Sequence, residues 1–225
     1  AAEAVAAAGG DHENNNVGSG WAHGLAVPSG GGRVKQGESF PRGRQLAILR
    51  AMSVDDEKLG NNALKIGDVT VGGRAFLAPM AGVTDIGMRR IARRFGASLV
   101  VSEMVAADDF ARGDAESRLR AEGEGVDPHV VQIAGCDPRW MSEAARLAEA
   151  SGAAIVDINM GCPAKKVTGG LAGSALMREP DLALELVRAT VAAVKIPVTL
   201  KMRLGWDHAS LNAPELAARA QAEGV

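Results

Sequence analysis

The sequence predicts an α/β fold built on parallel strands, because short apolar runs alternate with segments of helical period from Leu64 onward. The apolar runs are continuous rather than alternating, as is typical of strands that are buried on both faces. Each run also ends in polar or special residues at its carboxyl end. A TIM (β/α)8 barrel gathers its active site at that end from many strands, whereas a doubly wound sheet concentrates function near one switch point. The sequence therefore predicts the TIM barrel.

Strands, a hairpin and helices are predicted in order along the chain. The strands occupy residues 75–78, 98–101, 130–134, 154–158 and 197–201. Residues 64–71 form the hairpin, which turns at Gly67 and Asp68 and caps the bottom of the barrel. The helices share a capping aspartate or a proline in the first turn, and they begin at Asp85, Asp137, Pro180 and Pro214. A closed barrel needs eight strands and about 250 residues, so we expect only about the first five β/α units here.

Helical spacing predicts which helix faces are buried. In the first helix, Met88, Ile91 and Phe95 share the apolar face. The arginines of this helix are expected to cover its outer, solvated face, and they are Arg89, Arg90, Arg93 and Arg94. In the second helix, an apolar stripe consists of Met141, Ala144, Ala145 and Ala148.

Residues 1–62 differ in composition from the rest of the chain. They contain Asn14-Asn15-Asn16 and Gly30-Gly31-Gly32 and show no sustained period. Such a segment buries too little apolar area to offset the entropy of ordering, so we expect a flexible extension. Met52 is a candidate natural start, which would make the residues before it non-native. The barrel is then expected in residues 63–225.

Composition and charge argue against several classes of protein. The chain has 47% hydrophobic residues and a net charge of −2, so nucleic-acid binding would require a local patch. It has two cysteines, which argues against a disulfide scaffold, and its four histidines lack the spacing of metal ligands. No apolar run reaches the roughly 18–20 residues that span a bilayer. We therefore expect a cytoplasmic protein with no metal or membrane partner.

The segment at residues 157–163 is the strongest candidate for chemistry. Cys162 follows Gly161, which permits close backbone approach, and precedes a proline, which fixes the exit from the strand. The nearby Lys165 and Lys166 would favour its thiolate, the reactive form of a cysteine. On position alone, a small packing residue at this turn explains Cys162 equally well.

Two further strands carry polar residues in apolar surroundings. Lys201 ends the fifth run, where it could pair with Asp157 or with an anionic ligand such as a reduced flavin. Gln132 lies within an apolar strand, and a flavin edge, a water or a neighbouring backbone could each satisfy its amide. Alternation along the fourth strand places Asp157 and Asn159 on the same face.

Several longer motifs resemble one known family, the bacterial tRNA-dihydrouridine synthases of the B type, which is linked to a nitrogen-regulation locus. The matching segments are LAPMAGVTD at 77–85, VSEM at 101–104, VQIAG at 131–135, DINMGCPAKK at 157–166, LAGSAL at 171–176 and VTLKMRLGW at 198–206. The resemblance runs from about Leu64 to Val225 and leaves residues 1–62 outside it. Several motifs are long and in the right order, so chance agreement is remote.

The resemblance implies an FMN-binding TIM barrel followed by a helical tRNA-binding domain, which we expect to lie with the later strands beyond this chain. NADPH or NADH would reduce FMN, and the flavin would pass hydride to C6 of a tRNA uridine. Cys162 would be the general acid that donates a proton to C5, so its proton must be present at the moment of transfer. The complete enzyme is expected to be a monomer with tRNA as its partner.

The resemblance also assigns residues to the cofactor. The residues that would bind FMN are Pro79, Met80, Ala81, Gln132 and Lys201. Gln132 would contact the ring edge, Lys201 would stabilise the reduced ring, and Asn159 would orient the ring or the substrate.

Two alternatives stay open at this point. A flavin barrel that reduces free pyrimidines, such as a dihydroorotate or dihydropyrimidine dehydrogenase, would share FMN, the lysine and a catalytic loop. The motifs at 77–85 and 157–166 argue against it. The other alternative is an inactive interaction protein derived from the fold by truncation.

Overall fold

A computed structural model describes residues 63–225 of the chain. The predicted flexible extension at 1–62 and the candidate start at Met52 lie outside the described residues.

Five parallel strands form the main sheet, and each pairs with the next one along the chain. These strands are β3 (Phe76–Leu77), β4 (Leu99–Ala106), β5 (Val130–Ala134), β6 (Ile155–Met160) and β7 (Val198–Met202). Their order in the sheet is sequential, from β3 to β7, with helices in the connections. A doubly wound sheet would reverse its strand order at a switch point. The prediction of a TIM barrel with its first five β/α units is therefore confirmed.

The predicted hairpin is present at the amino-terminal end of the sheet. It pairs β1 (Leu64–Ile66) with β2 (Val69–Val71) in antiparallel register. Val71 is fully buried in a cluster with Leu99, Val130 and Ile155, which are the first residues of β4, β5 and β6. The hairpin thus covers the bottom of the barrel, as expected.

Helices fill the connections between the strands. They are α1 (Ile86–Arg94), α2 (Ala107–Ala111), α3 (Ala115–Ala121), α4 (Pro138–Ala150), α5 (Lys165–Thr168), α6 (Pro180–Ala193) and α7 (Ala213–Ala222), with a 3-10 segment at Gly173–Arg178. The predicted caps are confirmed, because Asp85 accepts from the Met88 N–H at 2.7 Å and Asp137 from the Arg139 N–H at 2.8 Å. The apolar stripe predicted for α4 is also confirmed, since all four of its side chains are fully buried.

The two faces of the sheet have different surroundings. The outward face packs against α4 and α6, and its buried side chains are Val131, Ile133, Val156, Ile158 and Val198. Since neighbouring residues of a strand point to opposite faces, Gln132, Asp157 and Asn159 point inward. The inward face is therefore apolar next to the hairpin and polar toward the carboxyl ends of the strands.

Two strands are longer than the sequence predicts. The prediction ended β4 at residue 101, but the strand continues to Ala106 and so contains Ser102 and Glu103. The prediction ended β6 at residue 158, but it continues to Met160 and so contains Asn159. Polar residues suggested a strand end in both cases, whereas these side chains are buried and hydrogen-bonded, Ser102 and Asn159 within the sheet and Glu103 to the loop after β3.

The prediction of a solvated arginine face on α1 is wrong for Arg89. This side chain is 0% exposed, while the predicted apolar positions Ile91 and Phe95 are 53% and 61% exposed. Its guanidinium donates to the carbonyl oxygens of Thr84 at 3.1 Å and Glu122 at 2.6 Å. Helical spacing places a residue on a face but does not reveal the carbonyl groups that can satisfy a buried cation.

The connections after β4 and β6 hold more helix than expected. No helix was predicted after β4, but α2 and α3 lie there. No helix was predicted between Lys165 and Ser174 either, but this segment contains α5 and the start of the 3-10 segment.

Candidate functional site

A chain of hydrogen bonds crosses the inward face of β5, β6 and β7. Thr199 donates its hydroxyl to Asp157 Oδ1 at 2.6 Å, and Gln132 Nε2 donates to Asp157 Oδ2 at 2.6 Å. Asn159 Nδ2 donates to Gln132 Oε1 at 2.8 Å. The strand register brings these groups together, because Gln132, Asp157 and Thr199 are aligned across the three strands. We call this set, Thr199, Asp157, Gln132 and Asn159, the polar ladder.

The polar ladder ends at the backbone of Cys162. Asn159 Oδ1 accepts from the N–H of Gly161 at 3.2 Å and from the N–H of Cys162 at 3.0 Å. An asparagine that bonds the backbone two and three residues onward forms a local turn. β6 ends at this turn, and Cys162, which is partly exposed, lies just after the strand.

The other side of Cys162 is packed against the 3-10 segment. Its carbonyl oxygen accepts from the Ser174 N–H at 2.9 Å. Gly173 adopts a φ of +61°, and a Cβ there would lie 2.7 Å from the Cys162 carbonyl oxygen. Only glycine fits this close approach in the left-handed region. The cysteine backbone is thus fixed by Asn159 on one side and by Gly173 and Ser174 on the other.

Lys201 lies beside the same turn. It is aligned with Asn159 across β6 and β7, and its Nζ lies 3.7 Å from the position that a Cβ on Gly161 would occupy. Arg203 donates its Nε to the Gly161 carbonyl oxygen at 2.7 Å. Two cations therefore flank the backbone that leads into Cys162.

Asp157 is not the direct partner of Lys201, although the sequence left that pairing open. Both carboxylate oxygens of Asp157 accept hydrogen bonds from Thr199 and Gln132. Burial raises the pKa of Asp157, while those hydrogen bonds and the charge of Lys201 oppose the rise. Among residues 63–225, no carboxylate lies within ion-pair distance of the Lys201 amine.

The loop after β3 is held by two side chains. Thr84 Oγ1 accepts from the Met80 N–H at 2.9 Å, and Glu103 Oε2 accepts from the Gly82 N–H at 2.5 Å. Glu103 is 6% exposed and Thr84 is 0% exposed. These bonds leave Met80 40% exposed on a loop with a defined backbone.

A register shift in β4 explains the position of Ser102. The pairing of β4 with β5 shifts between Val101 and Met104, which places an extra residue in β4. The Ser102 hydroxyl accepts from the Gln132 N–H at 2.9 Å and donates to the Glu103 carbonyl oxygen at 2.8 Å. Ser102 therefore binds the Gln132 backbone where the backbone pairing between β4 and β5 is irregular.

The predicted site residues fall into two groups. Gln132, Asn159 and Cys162 are joined by hydrogen bonds, and Lys201 lies next to Gly161. Pro79, Met80 and Ala81 lie on the loop after β3, which is at the same end of the sheet but makes no hydrogen bond to the polar ladder among residues 63–225.

Thr199 and Gly173 were not singled out from the sequence. Thr199 could have been found, because it lies two residues before Lys201 and alternation places both side chains on one face. Gly173 carried no such signal, since its contact with Cys162 depends on the folding of the whole connection between β6 and α6.

Two cavities of the described part lie outside the polar ladder. One of about 470 Å³ lies at the carboxyl ends of β4 and β5, beside Cys136 and Lys166. Another of about 860 Å³ lies beside the amino ends of β5 and β6, next to His129. His129 bonds the Ala121 carbonyl oxygen at 2.9 Å, and burial lowers its pKa. We place the candidate site at the ladder because the polar side chains converge there.

Residues 63–225 hold no cluster of three or more His, Cys, Asp or Glu side chains that is suited to a metal ion. Over the same residues, the helices are too short or too polar to cross a bilayer.

The chain is similar in sequence to known proteins. Residues 76–225 match the family model described as dihydrouridine synthase. A probable tRNA-dihydrouridine synthase from Rhizobium leguminosarum bv. phaseoli is 59% identical over 157 residues, which are 70% of this chain and 50% of that protein. The tRNA-dihydrouridine synthase B of Pseudomonas aeruginosa is 49% identical over 165 residues, which are 73% of this chain and 50% of that protein.

Among solved structures, histamine dehydrogenase from Rhizobium sp. 4-9 aligns with a TM-score of 0.44 and 12% identity, over 65% of this chain and 34% of that one. The chain spans about half the length of the curated relatives that it matches. The family model covers well over half of the chain, from β3 to the last residue. The chain therefore belongs to the dihydrouridine synthase family.

Proposed function

We propose that this chain is part of a cytoplasmic tRNA-dihydrouridine synthase, which reduces the C5–C6 bond of specific uridines in tRNA. The observation that carries the proposal is the family match over residues 76–225, which contains the whole polar ladder and Cys162. Relatives at 59% and 49% identity carry the name of this activity.

The residues present fit a flavin, and we propose FMN as the cofactor. A flavin ring edge alternates carbonyl and N–H groups, and negative charge collects near its N1 and O2 when it is reduced. Beyond its bonds to Asp157 and Asn159, the Gln132 amide has a second hydrogen and a second lone pair. Lys201 offers an ammonium group that no carboxylate binds among residues 63–225. Pro79, Met80 and Ala81 would line the ring from the loop after β3.

Cys162 would donate the proton to C5 of the uracil. It lies at the carboxyl end of a barrel strand, where TIM-barrel enzymes place their catalytic groups. Its backbone is fixed on both sides, so its thiol can be held toward a flat ring. Bound FMN would supply the hydride to C6, with NADPH or NADH as the source of electrons. Asn159 would orient the ring or the substrate through its amide nitrogen.

A nucleotide of a folded tRNA must leave its stack to enter such a pocket. Cys162 is partly exposed at the site, which is compatible with the approach of a single flipped base. We propose that the target is a uridine in tRNA rather than a free pyrimidine.

The test compares the two kinds of substrate. The natural protein, loaded with FMN and supplied with NADPH, is incubated with unmodified tRNA or with free uracil and uridine. We expect dihydrouridine, measured by mass spectrometry of digested tRNA, to form only from tRNA. Reduction of the free pyrimidines with no reaction of tRNA would contradict the proposal and favour a pyrimidine dehydrogenase.

A further inference from the structure

We propose that Asp157 is a positioning residue, which sets the orientation of the Gln132 and Asn159 amides and thereby holds the Cys162 backbone. This inference rests on the proposed function in one respect, because it takes Cys162 to be the reacting group. It assigns a role to the aspartate at the start of the DINMGCP segment and to Thr199 on the neighbouring strand.

The backbone dictates the direction of every bond in the polar ladder. The N–H groups of Gly161 and Cys162 can only donate, so the Asn159 atom that faces them must be its oxygen. Its NH2 group then faces Gln132, which must present its own oxygen. The NH2 group of Gln132 therefore faces Asp157.

Asp157 is the group that makes this direction possible. Its Oδ2 accepts from Gln132 and its Oδ1 accepts from Thr199. Without an acceptor at this place, the amide nitrogen of Gln132 would lose its one partner among residues 63–225, in a site where the residue is 1% exposed. An unpaired buried donor is costly, so the amide would turn or move, and Asn159 would lose its fixed partner.

The role requires an acceptor at Asp157 and not a negative charge. If an asparagine stood there, its oxygen would still accept from Gln132, and its NH2 group would donate to the Thr199 hydroxyl. A hydroxyl can exchange donation for acceptance by rotation, and Thr199 is only partly buried. The competing role for Asp157 is a counter-charge for Lys201, and that role requires the carboxylate.

Two substitutions together can reverse the direction of the hydrogen bonds that Gln132 makes in the polar ladder. If aspartate replaces Asn159, both neighbours of Gln132 are carboxylates. The Gln132 side-chain oxygen then faces a carboxylate oxygen, and neither atom carries a hydrogen to donate. If asparagine also replaces Asp157, Gln132 can turn over, donate to residue 159 and accept from residue 157. The two substitutions are thus expected to compensate each other.

The test uses the natural protein in a Cys136→Ser background, so that Cys162 is the reactive cysteine of the described chain. Three quantities are measured: kcat for dihydrouridine formation, the rate of Cys162 alkylation by iodoacetamide, and the melting temperature. Asp157→Asn has nearly the same volume as the natural side chain and keeps an acceptor, whereas Asp157→Leu keeps the branched shape, is larger and has no acceptor.

We expect Asp157→Asn to keep kcat and the alkylation rate within about threefold of the parent, because the acceptor remains. We expect Asp157→Leu to lower kcat by about tenfold to a hundredfold, since a small displacement of a reacting group has an effect of that size. The rate of Cys162 alkylation in Asp157→Leu should also differ from that of the parent, because the displaced backbone changes the access to the thiol. Equal losses in both variants would overturn the proposal in favour of a counter-charge, and an unchanged Asp157→Leu would exclude any positioning role.

The compensating pair keeps the proposal testable if Asp157→Leu fails to fold. We expect Asn159→Asp to lower the melting temperature and change the alkylation rate of Cys162, and the added Asp157→Asn to restore both in large part. If the double variant had the same melting temperature and alkylation rate as Asn159→Asp, the proposed direction of the hydrogen bonds in the polar ladder would be wrong. Alkylation and melting need no tRNA, so these outcomes decide the point even if the parent protein forms no dihydrouridine.

Discussion

At the scale of single residues, the position of Cys162 depends on contacts that come from both sides of its backbone. Asn159 binds its N–H, and Ser174 donates to its carbonyl oxygen. Gly173 lies so close that a Cβ there would also approach the Cys162 Cβ to 3.2 Å. Three contacts on one residue leave its backbone little freedom, which suits the proposed role of the thiol as proton donor to one carbon atom of a ring.

Gly173→Ala is expected to displace Cys162 and to lower kcat by about tenfold or more. The new Cβ would lie 2.7 Å from the Cys162 carbonyl oxygen, so the backbone of one residue must move. Gly152→Ala is the matched control, because Gly152 also has a positive φ, of +89°, but nothing lies within 4 Å of its Cβ position.

Both variants should lose about 1–2 kcal/mol of stability from the unfavourable φ. Steady-state turnover and urea denaturation separate the two effects. If Gly152→Ala lowered kcat as much as Gly173→Ala does, the close approach to Cys162 would not be the cause.

At the scale of elements, Arg89 joins α1 to the segment that follows α3. Its guanidinium donates to the carbonyl oxygens of Thr84, Arg120 and Glu122 at 3.1, 3.3 and 2.6 Å. These carbonyls belong to the loop after β3 and to the end of α3. One buried cation therefore ties the loop that carries Met80 to the next β/α unit.

Arg89→Met is expected to lower the free energy of unfolding by about 3 kcal/mol, because three carbonyl groups lose a charged donor and some stay buried. Arg90→Met is the control on the same helix. The Arg90 side chain is 45% exposed and lies 3.9 Å from Glu124, so its loss should cost about 1 kcal/mol or less. The free energy of unfolding is measured by urea denaturation. If both variants lowered it equally, the buried position of Arg89 would add nothing to stability.

The elements also show what a sequence pattern can and cannot predict. The buried stripe of α4 was predictable from Met141 to Ala148, because the period of a helix is a local property. The burial of Arg89 was not predictable, since two of its acceptors lie about 30 residues farther along the chain, at the end of α3 and directly after it. The end of β4 was missed because Ser102 and Glu103 are polar, yet their partners come from β5 and from the loop after β3.

At the scale of the whole molecule, the strand order and the hairpin were predictable, whereas the polar ladder was not. Alternation placed Asp157 and Asn159 on one face, and the structure confirms that placement. The bonds between them run through Gln132 and therefore depend on the register of β5 against β6. A register is a tertiary property that no short segment encodes alone.

The inward face of the sheet changes character from one end to the other. Val130 and Ile155 are buried against the hairpin, and the polar ladder lies farther along the same strands. A barrel interior is ordinarily packed with branched apolar side chains. At the polar end, the side chains of the candidate site therefore replace the apolar packing that is usual for a barrel interior.

The most direct test of the proposed reaction uses Cys162→Ala in the natural protein, with the exposed Cys136→Ala as its matched control. Flavin reduction by NADPH and dihydrouridine formation in tRNA are measured separately. We expect Cys162→Ala to keep flavin reduction and to lower dihydrouridine formation by about a hundredfold or more, the usual contribution of a positioned acid. Cys136→Ala should behave as the natural protein. Dihydrouridine formation at the natural rate by Cys162→Ala would contradict the account.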